Sequence, residues 1–257
     1  QRLVFVTAPR DSRSDFDRSS PLARSLPRMG QLTPLGLKLH ADNRRPLADC
    51  YNEAIDEAAD DDLLVFVHDD VSIDDWMAGA RVAEALTHFD VIGVAGNRRR
   101  LPAQVAWYLR PEASANPAQP KQHVWDVGSL AGAIAHGADP AQASVSEYGP
   151  APAPARLIDG VFIAARAGRL RQTGVRFDPQ LGFHFYDLDF CRAAERAGLR
   201  IGVWPIALTH ASSGASIQSQ AWEQSMRRYL EKWGETLPPV EHAVRTAIGS
   251  SVTVPSS

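Results

Sequence analysis

The sequence predicts an α/β fold in a single domain, a sheet flanked by helices, and three observations carry that prediction. Continuous apolar runs of strand length occur at Leu63-Leu64-Val65-Phe66-Val67 and at Val91-Ile92-Gly93-Val94. Such runs suit central strands of a parallel sheet, which are covered on both faces. Around them lie segments with apolar residues at i, i+3, i+4 and i+7, the period of a helix with one buried face. The links are short, and strand, helix and strand in alternation join neighbours by right-handed crossovers.

The elements follow in order. Leu3-Val4-Phe5-Val6-Thr7 is a β-rich run ended by Pro9, and reads as the first strand. Residues 10–30, rich in Ser, Arg, Asp and Pro, read as loop with one short helix. Residues 37–40 read as a second strand. Pro46 opens a helix whose apolar face is Leu47, Cys50, Tyr51, Ala54, Ile55 and Ala58. After the strand at 63–67 a second helix is expected to begin near Ser72 and Asp74, with Trp76, Ala80, Ala83 and Leu86 as its stripe. Residues 91–96 form the next strand. Residues 98–156, rich in Pro, Ala, Gly and Gln, show no sustained period and are expected as long loops and short strands folded over the sheet. A strand at 157–164 follows, then a helix at 187–197 stopped by Gly198. A strand at 201–208 is interrupted by Pro205. A last helix carries Trp222, Met226, Tyr229, Leu230 and Trp233, with Gly234 as its stop.

Composition sets bounds on partners. The 257 residues hold 27 Lys and Arg against 30 Asp and Glu, a net charge of −3. That balance supplies no bulk attraction to nucleic acid or to a membrane surface. The apolar runs fall well short of the roughly 18 residues a membrane span needs, so any membrane contact is expected to be peripheral. Cys50 and Cys191 both fall in expected helices, where a buried thiol acts as a small hydrophobe. Two cysteines suit a reducing compartment, and a cytoplasmic location is expected. The chain opens at Gln1 rather than Met. It is therefore expected to be a processed or excised piece, with a larger multidomain protein as one possible source.

Chemistry-bearing residues gather at strand and loop ends: His68-Asp69-Asp70, Tyr186-Asp187-Leu188-Asp189 and Thr209-His210. Ligands of open α/β sheets bind outside the carboxyl ends of strands. Adjacent carboxylates repel unless a cation or donor neutralises them. Mg²⁺ takes carboxylates, waters and substrate phosphates, and Mn²⁺ tolerates an imidazole as well, so Asp70 with His210 can hold such an ion on a diphosphate. The competing reading makes Asp69 and Asp70 caps of the Ser72 helix. Asp187 and Asp189 open a helix, where the dipole favours carboxylates for structural reasons alone. His184 lies in the same segment and can line the site. Arg98-Arg99-Arg100 reads either as a contact for an anionic substrate or as a solvated face.

In order, the blocks Cys50-Tyr51-Asn52-Glu53-Ala54, Phe66 to Val71 and Val91 to Gly96 resemble the nucleotide-binding half of family 2-like glycosyltransferases with the GT-A fold. The segment Phe177 to Cys191, then Gly198 and His210-Ala211-Ser212-Ser213-Gly214, resembles a bacterial branch associated with capsule and surface-polysaccharide synthesis. Lys232-Trp233 and Leu237-Pro238 also fit. The resemblance implies a GT-A domain over residues 1–238, with a nucleotide-binding half at about 1–97, an acceptor-binding half at about 98–238 and a tail at 239–257. It implies a metal-dependent, inverting transfer from a nucleoside diphosphate-sugar to a glycan or lipid-linked glycan, with Mn²⁺ or Mg²⁺.

The implied roles are specific. His68 stands where the family has the first Asp of its Asp-x-Asp motif, and Tyr186 stands where much of the superfamily has Glu. Asp70 and His210 would hold the metal, and Asp69 the nucleoside. Thr7, Pro9 and Arg10 would lie beside the nucleotide, in the same group as Asn52. Asp187 would be the catalytic base. Asp159, Gly160 and His184 would border the acceptor, and Asp189 would either hold the helix end or orient the acceptor. Other readings are a sugar-phosphate nucleotidyltransferase, which needs a Gly-rich loop where Thr7-Ala8-Pro9-Arg10-Asp11 stands, a glycoside hydrolase, and a catalytically silent carbohydrate-binding or scaffold domain of a larger synthase.

Overall fold

In the computed structural model, residues 1–112, 122–212 and 219–236 are described. Ser213, Gly214, Leu237, Pro238 and the tail at 239–257 lie outside them. The described chain runs β1 (Leu3–Thr7), α1 (Arg13–Ser19), α2 (Pro21–Met29), β2 (Leu35–Leu39), α3 (Leu47–Glu57), β3 (Leu63–Val67), β4 (Val71–Ile73), α4 (Ala78–His88), β5 (Val91–Gly93) and β6 (Ala95–Asn97). It continues through β7 (Leu109–Glu112), β8 (Gln122–Trp125), β9 (Leu130–His136), β10 (Ser144–Gly149), β11 (Ala153–Ala155), β12 (Leu157–Ile158) and β13 (Phe162–Arg166). It closes with α5 (Ala167–Thr173), α6 (Tyr186–Arg196), β14 (Ile201–Val203), β15 (Leu208–His210) and α7 (Gln220–Lys232).

Two sheets share the core. The larger has the order β11-β14-β5-β13-β3-β1-β2, and the smaller has β12-β6-β9-β15-β4 with β10 added on β9. β3 lies between β1, to which it is parallel, and β13, to which it is antiparallel. Its five residues are all buried, as its unbroken apolar run requires. α3 starts directly after Pro46 and buries Leu47, Ala48, Cys50, Tyr51, Ala54 and Ile55, close to the face its periodicity predicts. Both cysteines are buried free thiols in helices. Strands from before and after residue 97 share both sheets.

Several elements depart from expectation. Residues 10–30 hold two helices rather than one, because Ser12 caps α1 through the Asp15 amide and Ser20 caps α2 through the Ala23 amide. No helix begins at Ser72. Residues 71–73 pair antiparallel with β15, and α4 starts at Ala78 with Ala78, Gly79, Val82 and Ala85 buried. Trp76 is 62% exposed, so it belongs to no stripe. The run at 91–96 divides into β5 and β6, that at 157–164 into β12 and β13, and that at 201–208 into β14 and the start of β15. Residues 98–156 supply β9, the long middle strand of the smaller sheet, besides short strands and loops.

These divisions share a cause, which is that the chain passes from one sheet to the other at each of them. β3 leads to β4 through His68-Asp69-Asp70, and β12 leads to β13 through Asp159-Gly160-Val161. Other passages are Val94, between β5 and β6, residues 150–152, between β10 and β11, Arg156, between β11 and β12, residues 204–207, between β14 and β15, and the return through α4 from β4 to β5. The seam between the sheets therefore carries two of the segments picked out for their chemistry.

Candidate functional site

Strand register brings the first group together. His210 pairs with Val71 across β15 and β4, and the Ala211 amide donates to the Asp70 carbonyl at 2.9 Å. That pairing sets His210 beside Asp70, with Nε2 at 3.3 Å from Oδ2. His68, at the end of β3, completes a cluster in which one donor atom from each of His68, Asp70 and His210 lies within 4.8 Å of the others. Burial alone would raise the Asp70 carboxyl, but the hydrogen bond and charge of His210 outweigh it and hold it below its ordinary value. Burial would likewise lower His210, and the Asp70 bond and charge turn that into a rise. Burial, ahead of its neighbours' charges, keeps His68 low.

The cluster fits a divalent ion. Asp70 Oδ1 is buried with no hydrogen-bond partner, an arrangement that costs free energy unless a cation or donor meets it. One carboxylate and two imidazoles are a donor set that Mn²⁺ accepts. With no helix at Ser72, the capping role for Asp69 and Asp70 disappears. Ser72 and Thr209 instead both donate to Asp74, at 2.7 and 2.6 Å. Asp69 holds α2 through its carbonyl, which accepts from Ser20 Oγ at 2.6 Å. Burial and then the neighbouring Asp70 charge raise its carboxyl.

The second group forms at the start of α6. Phe185, just before it, has φ +64°, uncommon for a bulky residue, and its ring is packed between Trp222 and Tyr229 of α7 at 5.3 Å each. The next residues are Tyr186 and Asp187. The Asp187 carboxylate accepts from the Gly160 amide at 3.1 Å and the Leu188 amide at 2.9 Å. Burial first, and then the charge of Asp159, push its carboxyl up to about 7. Gly160 is required by close approach, since a Cβ there would overlap the Tyr186 hydroxyl and sit 3.1 Å from Asp187 Cβ. The Gly160 carbonyl accepts from the Tyr186 hydroxyl at 2.9 Å, and His68 Nε2 lies 2.8 Å from that hydroxyl. One glycine and one tyrosine thus join the carboxylate to the metal-type cluster.

The sequence-predicted residues divide. Asp70, His210, Asp187, Asp159 and Gly160 converge. Asp159 accepts from Trp107 Nε1 and from the Val161 amide, each at 2.9 Å. Thr7 is buried at the end of β1 with Oγ1 unpartnered, Pro9 is buried, and Arg10 is exposed. His184 packs edge-to-face on Phe183, whose own ring stacks on His68 at 5.5 Å. Asn52 ties α3 to the stretch before α6. Its side-chain amide donates to the Phe177 carbonyl at 2.8 Å and accepts from the Phe177 amide at 3.0 Å. Both oxygens of Asp189 are engaged, by Lys232 and Trp233 at 2.9 Å each, which ties α6 to the end of α7. The three arginines find internal partners: Arg98 bonds Gly128, Arg99 pairs with Asp126, and Arg100 with Glu195 and Glu235.

Sequence reasoning missed Trp107 and the aromatic residues beside it. Trp107 meets Tyr108 and Tyr148 at 5.4 and 5.0 Å between ring centres, and Trp125 lies 4.8 Å from Tyr108. Their only signal is aromatic content in a stretch without a period. No helix among the described residues is long and apolar enough to cross a membrane.

Solved structures to which the chain is similar include the catalytic domain of Drosophila beta1,4galactosyltransferase 7 in complex with xylobiose, 13% identical, covering 88% of this chain and 79% of that one at a TM-score of 0.43. GalNAc-T7 with UDP, GalNAc and Mn²⁺ is 11% identical, covering 90% of this chain and 47% of that one at 0.44. The inositol-1-phosphate CTP transferase from T. maritima is 10% identical, covering 90% and 96% at 0.39. Likeness at this level assigns neither substrate nor reaction. No curated protein matches the sequence. The match to the glycosyltransferase-like family, in contrast, runs over residues 37–233 of 257 and takes in both groups of the site, so the chain belongs to that family and is an enzyme of the glycosyltransferase class.

Proposed function

We propose that this enzyme is a divalent-metal-dependent, inverting transferase that moves a sugar from a nucleoside diphosphate-sugar to a hydroxyl of a glycan or lipid-linked glycan. The observation that carries the reading is the link from the Asp187 carboxylate through Gly160 and Tyr186 to the His68, Asp70 and His210 cluster. An ion held there would act as a Lewis acid toward the departing diphosphate. Asp187, with a carboxyl near neutrality, takes the proton of the acceptor hydroxyl as that oxygen attacks the anomeric carbon. The C–O bond to the diphosphate breaks as the new one forms, and a single displacement inverts the configuration. Base help of this kind is worth about 10²–10⁴-fold. Thr7, Pro9, Arg10 and Asp69 fall to the donor nucleotide, and Asp159, Gly160 and His184 to the acceptor.

The setting follows the sequence resemblance: surface-polysaccharide synthesis in a bacterium, on the cytoplasmic side of the membrane. The test is donor hydrolysis and transfer across a panel of nucleotide sugars, with Mn²⁺, with Mg²⁺ and with chelator. Turnover of at least one donor that chelator abolishes is expected. Turnover that chelator leaves intact would sink the metal role, and retention of anomeric configuration would sink the single displacement.

A further inference from the structure

We infer that His68 is a third protein ligand for the ion and that Tyr186 is its positioning residue, fixing the imidazole proton on Nε2 so that Nδ1 presents a lone pair. This rests on the metal-dependent reading above. The argument is one of donors and acceptors. The Gly160 carbonyl can only accept, and the Tyr186 hydroxyl meets it at 2.9 Å, which uses the single phenolic proton. The Tyr186 oxygen is then an acceptor for His68 Nε2 at 2.8 Å, so that nitrogen carries the hydrogen. In a neutral ring the other nitrogen is bare. A ligating histidine held through its second ring nitrogen is how metal sites fix tautomer and ring orientation.

Two positions that depart from the family pattern thereby acquire a joint meaning. His68 stands in place of an aspartate and Tyr186 in place of a glutamate, and the two side chains bond to each other. The arrangement also has a metal preference. Two imidazoles and one carboxylate suit Mn²⁺, whereas Mg²⁺ is held by oxygen ligands and keeps its waters. The site therefore selects Mn²⁺ over Mg²⁺ through His68.

Mn²⁺ and Mg²⁺ binding to the full chain, followed by electron paramagnetic resonance and calorimetry, tests this. Tyr186→Phe keeps the ring and is expected to weaken Mn²⁺ by about 10- to 100-fold. His68→Asp is expected to narrow the Mn²⁺ to Mg²⁺ ratio, and Tyr186→Phe added to it is expected to cost little more, because coupled residues are not additive. Nitrogen-15 spectra of the unsubstituted protein, read without added metal, are expected to show His68 protonated on Nε2. An Nδ1-protonated ring, or unchanged Mn²⁺ affinity in a folded Tyr186→Phe variant, overturns the inference alone. Binding that Asp70→Ala does not affect overturns the metal reading with it.

Discussion

At the end of β3 the donors are gathered by strand pairing, whereas at the start of α6 the carboxylate is held by the lack of a side chain opposite it. His210 meets Asp70 because β15 and β4 run in register, and either side chain can change without moving the backbone that aligns them. Asp187 meets its donor because Gly160 leaves room, and no substitution there is neutral. The first region is polar and short of partners, with Asp70 Oδ1 unmet. The second already satisfies its carboxylate from two amides. A region short of donors is suited to take up a cation. A region whose carboxyl titrates near neutrality is suited to exchange a proton.

Substitutions can break this division, and the largest effects fall on the carboxylates. Asp187→Asn is expected to lower transfer by about 10²–10⁴-fold and to leave metal-dependent nucleotide binding intact. Asp70→Ala is expected to lose that binding as well as turnover. If Asp187→Asn also loses the metal, the two regions are one. Gly160→Ala comes next. A methyl group there displaces Tyr186, so transfer is expected to fall together with Mn²⁺ affinity, the latter by about tenfold or more; unchanged affinity would show the two regions to be independent.

A smaller effect separates charge from shape. In the proposed mechanism Asp187 acts as a carboxylate, so kcat/KM is expected to rise with pH through a midpoint near 7 and then level off. Asp159→Asn removes a negative neighbour, which eases ionisation of Asp187, and the rising limb is expected to move to lower pH. A limb that stays in place would assign the midpoint to another group. The smallest effect on chemistry is at Asn52. Asn52→Ala loses two hydrogen bonds to Phe177 and is expected to cost about 1–3 kcal/mol in urea denaturation, with nucleotide affinity unchanged.

Legibility from sequence tracked how local each cause was. β1, β3, α3 and α6 were readable because their burial is written in consecutive or helically spaced residues. The segment after Asp70 was misread because Ser72 and Asp74 look like a helix start, while its strand pairs with residues 208–210, more than 130 positions on. Asp70, His210 and Asp187 were legible through the family pattern. His68 was legible as part of the cluster after β3 and as a departure from the family pattern, but its bond to Tyr186 was not, since that residue lies 118 positions away. The bond of Asn52 to Phe177 was not legible, because it spans 125 residues. Trp107 had no periodic neighbours to mark it.

The three-residue passages between the sheets carry one more consequence. Both segments with site residues, 68–70 and 159–161, join paired strands at each end. A strand's faces alternate with every residue, so one inserted or deleted position reverses all that follows until the pairing slips. An insertion before Val71 would bring a different residue opposite His210, and one before Phe162 would turn β13 over between β3 and β5. Point changes at these positions act through the contacts of one residue, but a change in length alters the register of the strands that follow. Spacing is thus the most tightly held property of the site.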